Sequence, residues 1–165
     1  ELRTIADGLV NSKIRYCLPV FVGESLRFRD SDPQSTLVQK IQRSQNDTMR
    51  IITGNRRSDH VRISDMLEST SFLSVNQMAA YSLLMELWKA KEFNVPYLNS
   101  LLERRRNDER ILRSDSSNLV STTGYDTFAL NCEKLWNLAT DRFKNTNLVN
   151  IAKAEAKIVA KSLPL

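Results

Sequence analysis

Little in this 165-residue chain breaks a helix, and little in it makes a reactive centre. Four glycines and four prolines are few for a chain of tight turns and strands. Leu, Ala, Lys, Glu, Gln and Arg are plentiful, which predicts a mostly helical fold. Two cysteines, Cys17 and Cys132, stand far apart and read as reduced, partly buried thiols rather than a disulfide framework. With His60 the single histidine, a zinc site would need both cysteines and an acid, so no metal centre is expected. No apolar run approaches the ~20 residues that a transmembrane helix requires. The opening ELRTIADG lacks an initiating Met and the apolar core of a signal peptide. It starts inside what reads as a helix, so the chain is expected to be a piece of something longer.

Catalytic patterns are equally scarce. There is no Gly-rich phosphate loop and no nucleophile elbow that could pair a serine with His60. Asp30 with Asp32, and Asp108 with Glu109, are paired carboxylates. Both pairs lie in polar segments with no apolar strand to hold them rigid, and read as solvated loops. The chain by itself is not expected to catalyse a reaction.

Among what is present, 41% apolar and 26% charged residues make a globular balance, with length for one domain and a sizeable core. The net charge of +5 suits nucleic acid or another anionic partner. Along the chain, Arg3–Tyr16 reads as a helix running into Cys17–Val22, where Pro19 interrupts the pattern. Gly23–Ser35 reads as a loop, Ser35–Thr53 as a helix stopped by Gly54, and Asn55–Ser58 as a basic turn. Asp59 is expected to cap a helix over His60–Ser69. Ser74 and Gln77 form a capping box before Val75–Lys91, which is apolar around most of its circumference and reads as the central core helix. Pro96 is expected to start a short helix through Leu102. Residues 103–124 read as a loop or a weak hairpin near 109–124. Helices over Thr127–Leu138 and Asn147–Leu163 follow, the latter capped by Asn145 or Thr146 and presenting Leu148, Ile151, Ala152, Ile158, Val159 and Leu163 on one face. Glu155 lies inside that apolar sector and is expected to sit near its edge or to find a polar partner.

Val38–Gly54, VQKIQRSQNDTMRIITG, carries the strongest functional signal. At about 100° per residue, Leu37, Val38, Ile41, Gln45, Thr48, Met49 and Ile52 share one sector, while Gln39, Lys40, Gln42, Arg43, Asn46 and Arg50 oppose it. Asp47 is the only acid on that polar side. The basic row continues into Arg56, Arg57 and Arg62, giving the spaced cations that phosphate binding needs. A second row, Lys153, Lys157 and Lys161, lies opposite the apolar stripe of the last helix and reads first as its wet side. Arg104–Arg106 adjoin Asp108 and Glu109, so local cancellation weakens them as a patch.

The spelling adds to the charge. Ser44–Gly54, SQNDTMRIITG, resembles the "Q-N-x-x-x-R-x-I-T-G" helix downstream of the palm in non-LTR (LINE-type, Jockey-like) retrotransposon reverse transcriptases. Ala6–Phe21, ADGLVNSKIRYCLPVF, is similar to their segment leading to "S-x-[IL]-x-Y-G-[LI]". Met66–Gln77, MLESTSFLSVNQ, resembles their "leucine … gly-leu-leu-ser" joint. Phe128–Leu138 with Trp136-Asn137, and the final Leu163-Pro164-Leu165, resemble the closing region of that reading frame. The chain departs from the pattern at Cys17, where glycine is frequent, at Phe21, where tryptophan is, and at Ala139-Thr140, where Leu-Pro often follows.

The resemblance implies a thumb and C-terminal segment without the palm aspartates, hence no cofactor here and Mg2+ only in the absent palm. It implies an all-α fold, an irregular bundle of about six helices. Residues 1–103 would form the thumb-like part, and 104–165 a C-terminal extension packed on it in one unit. Lys40, Arg43, Gln45, Asn46 and Arg50 would lie on the helix that touches RNA, RNA–DNA hybrid or DNA, with Arg56, Arg57 and Arg62 beside them and Lys153, Lys157 and Lys161 as a secondary basic face. Partners would be that nucleic acid and the upstream polymerase domains, with no membrane, in an intracellular setting, nuclear and cytoplasmic. The alternative is a helical adaptor derived from a retrotransposon remnant, favoured by an exposed surface around Tyr97, Leu98, Leu101 and Leu102.

Overall fold

The computed structural model describes residues 1–22, 25–96 and 127–165, and among these the fold is all-α, with no strand. The elements are α1 (Leu2–Ala6), a π turn (Asp7–Asn11), α2 (Ser12–Val22), α3 (Thr36–Thr53), a 3-10 turn (Arg57–Asp59), α4 (Ile63–Thr70), α5 (Val75–Glu92), α6 (Thr127–Leu138), α7 (Asp141–Asn145) and α8 (Val149–Lys161). Several expectations fall outside the described residues. These are the helix through Leu102, the loop or hairpin near 109–124, the division at 103–104, the Tyr97–Leu102 surface, the Arg104–Glu109 charges and the Cys17 side chain.

The described chain divides into two compact units. The first holds Glu1–Ala79 with Leu163–Leu165, and the second holds Ala80–Ser162. Helix α5 contributes its first turn to the former and its remainder to the latter.

In the first unit the N-terminal helical backbone is unbroken from Leu2 to Val22, because Asp7 and Ser12 at the π-turn joints both keep right-handed helical angles. The π turn holds one residue more than an α turn and brings Asn11 to a buried position, where its Nδ2 donates to Asp7 Oδ1 at 3.1 Å. Arg15 Nη2 reaches the same Asp7 oxygen at 2.7 Å. The predicted interruption at Pro19 does not occur: Pro19 lies inside α2. Its ring removes the one N–H that would bond the Arg15 carbonyl, one turn before the helix ends, while buried Leu18 and Val22 anchor the segment.

Helix α3 ends as read. Gly54 adopts the left-handed conformation with φ 72° and donates its N–H to the Arg50 carbonyl. This is the region where a Cβ is costly and glycine is free. The expected cap at Asp59 fails for a local reason. Its Oδ2 accepts the Arg56 N–H at 2.7 Å, closing the 3-10 turn instead, and His60 at φ 49° stops helical continuation. Helix α4 therefore starts at Ile63. Met49, Met66, Leu67, Phe72 and Ala6 form the buried cluster that joins α3 and α4, with Ile52 and Val61 at its margin.

Amide side chains hold this unit together. Gln42 Oε1 accepts the Val75 N–H at 2.8 Å, one of the donors that the start of α5 leaves without an intrahelical partner. Ser74 and Gln77 exchange the expected capping-box bonds, each 3.2 Å. Asn76 binds the Arg27 backbone through both N–H and C=O, and donates to the Pro164 carbonyl as well. Gln77 Nε2 donates to the Leu163 carbonyl, so two consecutive amides pin Leu163–Leu165 against the start of α5.

The second unit is built on the apolar length of α5, where Leu83, Leu84, Leu87, Trp88 and Ala90 are buried and Glu86 and Lys89 pair on the wet strip. Trp88 Nε1 donates to the Thr146 carbonyl at 2.8 Å, and Lys91 Nζ donates to the Lys144 carbonyl. Trp136 and Phe143 meet edge to face with ring centroids 6.0 Å apart. Burial pushes the Lys144 amine below its ordinary value, against the opposing charge of Asp141. Glu155 finds its partners: Thr140 Oγ1 donates to it at 2.9 Å, and Arg142 Nη1 stands 3.6 Å away.

Helix α8 begins at Val149 rather than Asn147, since Thr146 Oγ1 accepts the Leu148 N–H and closes a turn before the helix. Leu148 and Ile158 were expected on the core face but are exposed. The buried line runs through Ala152, Glu155, Ala156, Val159 and Ala160, because small alanines allow close packing there and Glu155 must stay beside Thr140. Among the described residues no helix is long and apolar enough to cross a membrane.

Candidate nucleic-acid interface

Gly54 sets the geometry of the candidate site. By reversing the chain at the end of α3, it returns the 3-10 turn alongside the helix, so that Arg57 reaches a residue ten positions earlier. Arg57 Nη2 lies 2.7 Å from Asp47 Oδ2, and its Nε lies 3.4 Å from Oδ1. Arg50 Nη1 approaches the same Oδ1 at 3.0 Å from one helical turn further on. Arg43, Asn46, Asp47, Arg50 and Arg57 line a cleft of about 290 Å³. Three guanidinium groups against one carboxylate leave it two positive charges.

Electrostatics inside the cleft are set by the two ion pairs. Hydrogen bonds from the Arg57 guanidinium hold the Asp47 carboxyl below its ordinary value, with the charge of Arg57 and then the bond and charge of Arg50 acting in the same sense. Asp47 correspondingly holds Arg57 above its ordinary value. Side-chain exposure differs along the set: 79% for Arg57, 43% for Asp47 and 25% for Arg50. Arg43 is exposed and has no ion-pair partner among the described residues. The cleft thus offers one unpaired guanidinium beside two that are engaged.

Not every residue singled out from sequence lies at this surface. Gln45 is fully buried. Its Nε2 donates to the Leu73 carbonyl at 2.8 Å and lies 3.5 Å from Asn11 Oδ1, while its Oε1 accepts from Gln42 Nε2 at 3.0 Å. That amide serves the fold and is not presented to a ligand. Asn46 does both: it lines the cleft, is almost wholly buried, and accepts from Gln42 Nε2 at 2.8 Å. The buried arc of α3 is consequently turned toward Gln42 and Asn46, and Leu37, expected inside, is exposed.

Lys40, Arg56 and Arg62 are exposed but do not line the cleft. Lys153, Lys157 and Lys161 are exposed along α8 in the second unit. Two residues were missed. Gln42 bridges α3 to the start of α5, and its spacing of three and four from Gln45 and Asn46 was the available signal. Asp47, noted only as the lone acid of the polar side, organises the arginines. Its position three before Arg50 could have been read, but the pairing with Arg57 depends on the Gly54 reversal. No group of three or more metal-ligating side chains occurs among the described residues. No protein-family model matches the chain, and no match was found among curated proteins or solved structures.

Proposed function

We propose that this chain is the non-catalytic thumb and C-terminal segment of a LINE-type reverse transcriptase, gripping primer–template or target nucleic acid through its backbone. The observation that carries the reading is the cleft of Arg43, Arg50 and Arg57 on the "Q-N-x-x-x-R-x-I-T-G" helix and the turn after it. Guanidinium groups match phosphate oxygens in a planar fork, and neutralising each phosphate releases condensed counterions. Contacts of that kind are indifferent to sequence, as a polymerase that slides past every template requires. Lys40, Arg56 and Arg62 extend the cationic surface, and Lys153, Lys157 and Lys161 supply a second basic face on α8. In this reading Mg2+ belongs to the upstream palm, the upstream polymerase domains are the protein partner, and the parent works inside the cell, in nucleus and cytoplasm.

The test is binding of a labelled RNA–DNA hybrid over a series of salt concentrations. With about four phosphates contacted, log K falls against log salt with a slope of roughly −3 to −4. A dissociation constant indifferent to salt, or no binding at moderate salt, sinks the proposal.

A helical adaptor is the second reading, and one observation favours it. Leu2, Ile5, Leu9, Tyr16 and Val20 are all exposed along α1, the π turn and α2, at spacings that place them on one side of the continuous helical backbone. A stable homo- or hetero-complex formed without nucleic acid, found by light scattering after gel filtration, would support this reading over the first.

A further inference from the structure

We propose that Asp47 gates the cleft, its carboxylate occupying Arg57 and Arg50 in the free protein and yielding them to a phosphate when a nucleic-acid strand enters. The inference rests on the reading of the cleft as a phosphate grip and assigns its regulation to one residue. Asp47 presents its oxygens to the Nε and Nη2 of one guanidinium, at 3.4 and 2.7 Å, and to a second guanidinium at 3.0 Å. That is the fork that a phosphate would use, so the carboxylate stands where an incoming anion must bind. Arg57 hangs largely in solvent, so changing partners costs it little packing, whereas Arg50 is held closer to the helix.

Arg43 sets the order of events. It lies one turn before Asp47 on α3, faces the same cleft and needs to break no ion pair to bind an anion. A strand that first engages Arg43 brings further phosphates toward the fork, and their charge competes with that of Asp47 for Arg57. A lone small anion gains only the first contact. Asp47 therefore acts as a positioning residue that aims the two arginines in the free protein, lowers affinity for any single anion, and reserves the full grip for a polyanion.

Asp47→Asn keeps the shape and removes the charge, so it tests the gate directly. The expected result is a dissociation constant for RNA–DNA hybrid lower by about three- to five-fold near physiological salt, the range of a released surface ion pair. The salt slope changes little, because Arg57 and Arg50 reach phosphates in both complexes and only the cost of freeing them from Asp47 is gone. In the free protein, exchange of the Arg57 Nε–H, read by NMR, speeds up. The gain must run through Arg57: in an Arg57→Gln background, Asp47→Asn gives less tightening.

A native chain that grips the hybrid while Asp47→Asn, melting as a folded protein, binds no tighter overturns the gate and leaves the grip standing. Equal tightening with and without Arg57 also overturns it, as a plain net-charge effect. A native chain that binds no hybrid overturns the grip and the gate together.

Discussion

Gln42 and Val75, 33 positions apart, are joined by a 2.8 Å bond from the Val75 N–H to the Gln42 Oε1, so a side chain of α3 caps the start of α5. The same side chain donates through Nε2 to Gln45 and Asn46, and Gln45 passes the connection on to the Leu73 carbonyl. Gln42→Ala leaves a helix-start donor and two amide oxygens without this partner. It is expected to destabilise the first unit by about 2 kcal/mol. Gln42→Glu is nearly isosteric and keeps the acceptor for Val75, but sets an oxygen against the Gln45 and Asn46 oxygens. Thermal melts should place it at least as low as the alanine variant. A glutamate variant as stable as the native chain would show that only the cap matters.

Arg43 and Arg50 carry the proposed grip from one face of α3. Their joint replacement by alanine should weaken hybrid binding to a similar degree for unrelated sequences, and reduce the magnitude of the salt slope by about 2. Fluorescence anisotropy with several duplexes across salt measures both. Loss confined to one sequence would instead indicate base reading.

Acid should reach Asp47 late. Its folded value is depressed, chiefly by the Arg57 hydrogen bonds, so its stabilising contribution is complete above the unfolded value near 3.8. That contribution fades as pH falls through the folded value, below 3.8. NMR titration of the Asp47 carboxyl carbon should give a midpoint under the ordinary carboxylate range, and Arg57→Gln should move it upward. A midpoint unmoved by that substitution contradicts the pairing.

Thr140 has two tasks in the second unit. Its Oγ1 accepts the Phe143 N–H at 3.1 Å, capping α7, and donates to Glu155 at 2.9 Å. Thr140→Ala should cost about 1 kcal/mol for the cap, and more where Glu155 loses its hydroxyl. Thr140→Ser should restore most of it. Denaturant unfolding of the three proteins checks the order native, serine, alanine.

Helix positions were legible where local chemistry decides them. Gly54 stops α3 because its left-handed angle is nearly free for glycine, and Ser74 with Gln77 starts α5 through bonds spanning four residues. The apolar girth of Val75–Lys91 marked a helix with little surface for water. Reading failed where a second interaction, near or distant, competed with the pattern. Pro19 stays helical one turn before the end of α2, where buried Leu18 and Val22 anchor the segment, and Asp59 is claimed by Arg56 before it can cap another helix. Ile158 sits outside because the alanine line and Glu155 turn α8 the other way.

The candidate site divides along the same line. The sequence by itself determined an amphipathic α3 with cations at Lys40, Arg43 and Arg50, since side-chain direction on a helix follows from 3.6 residues per turn. Which of its polar groups face water was decided by tertiary structure. Asn46 falls on the polar side by periodicity, yet it is almost wholly buried, and the Gln42 amide offers its oxygen the bond that water would otherwise supply. Asp47 looked like an isolated acid until the Gly54 reversal carried Arg57 back to it. Periodicity sets the direction of a side chain, but its partner depends on where the rest of the chain returns.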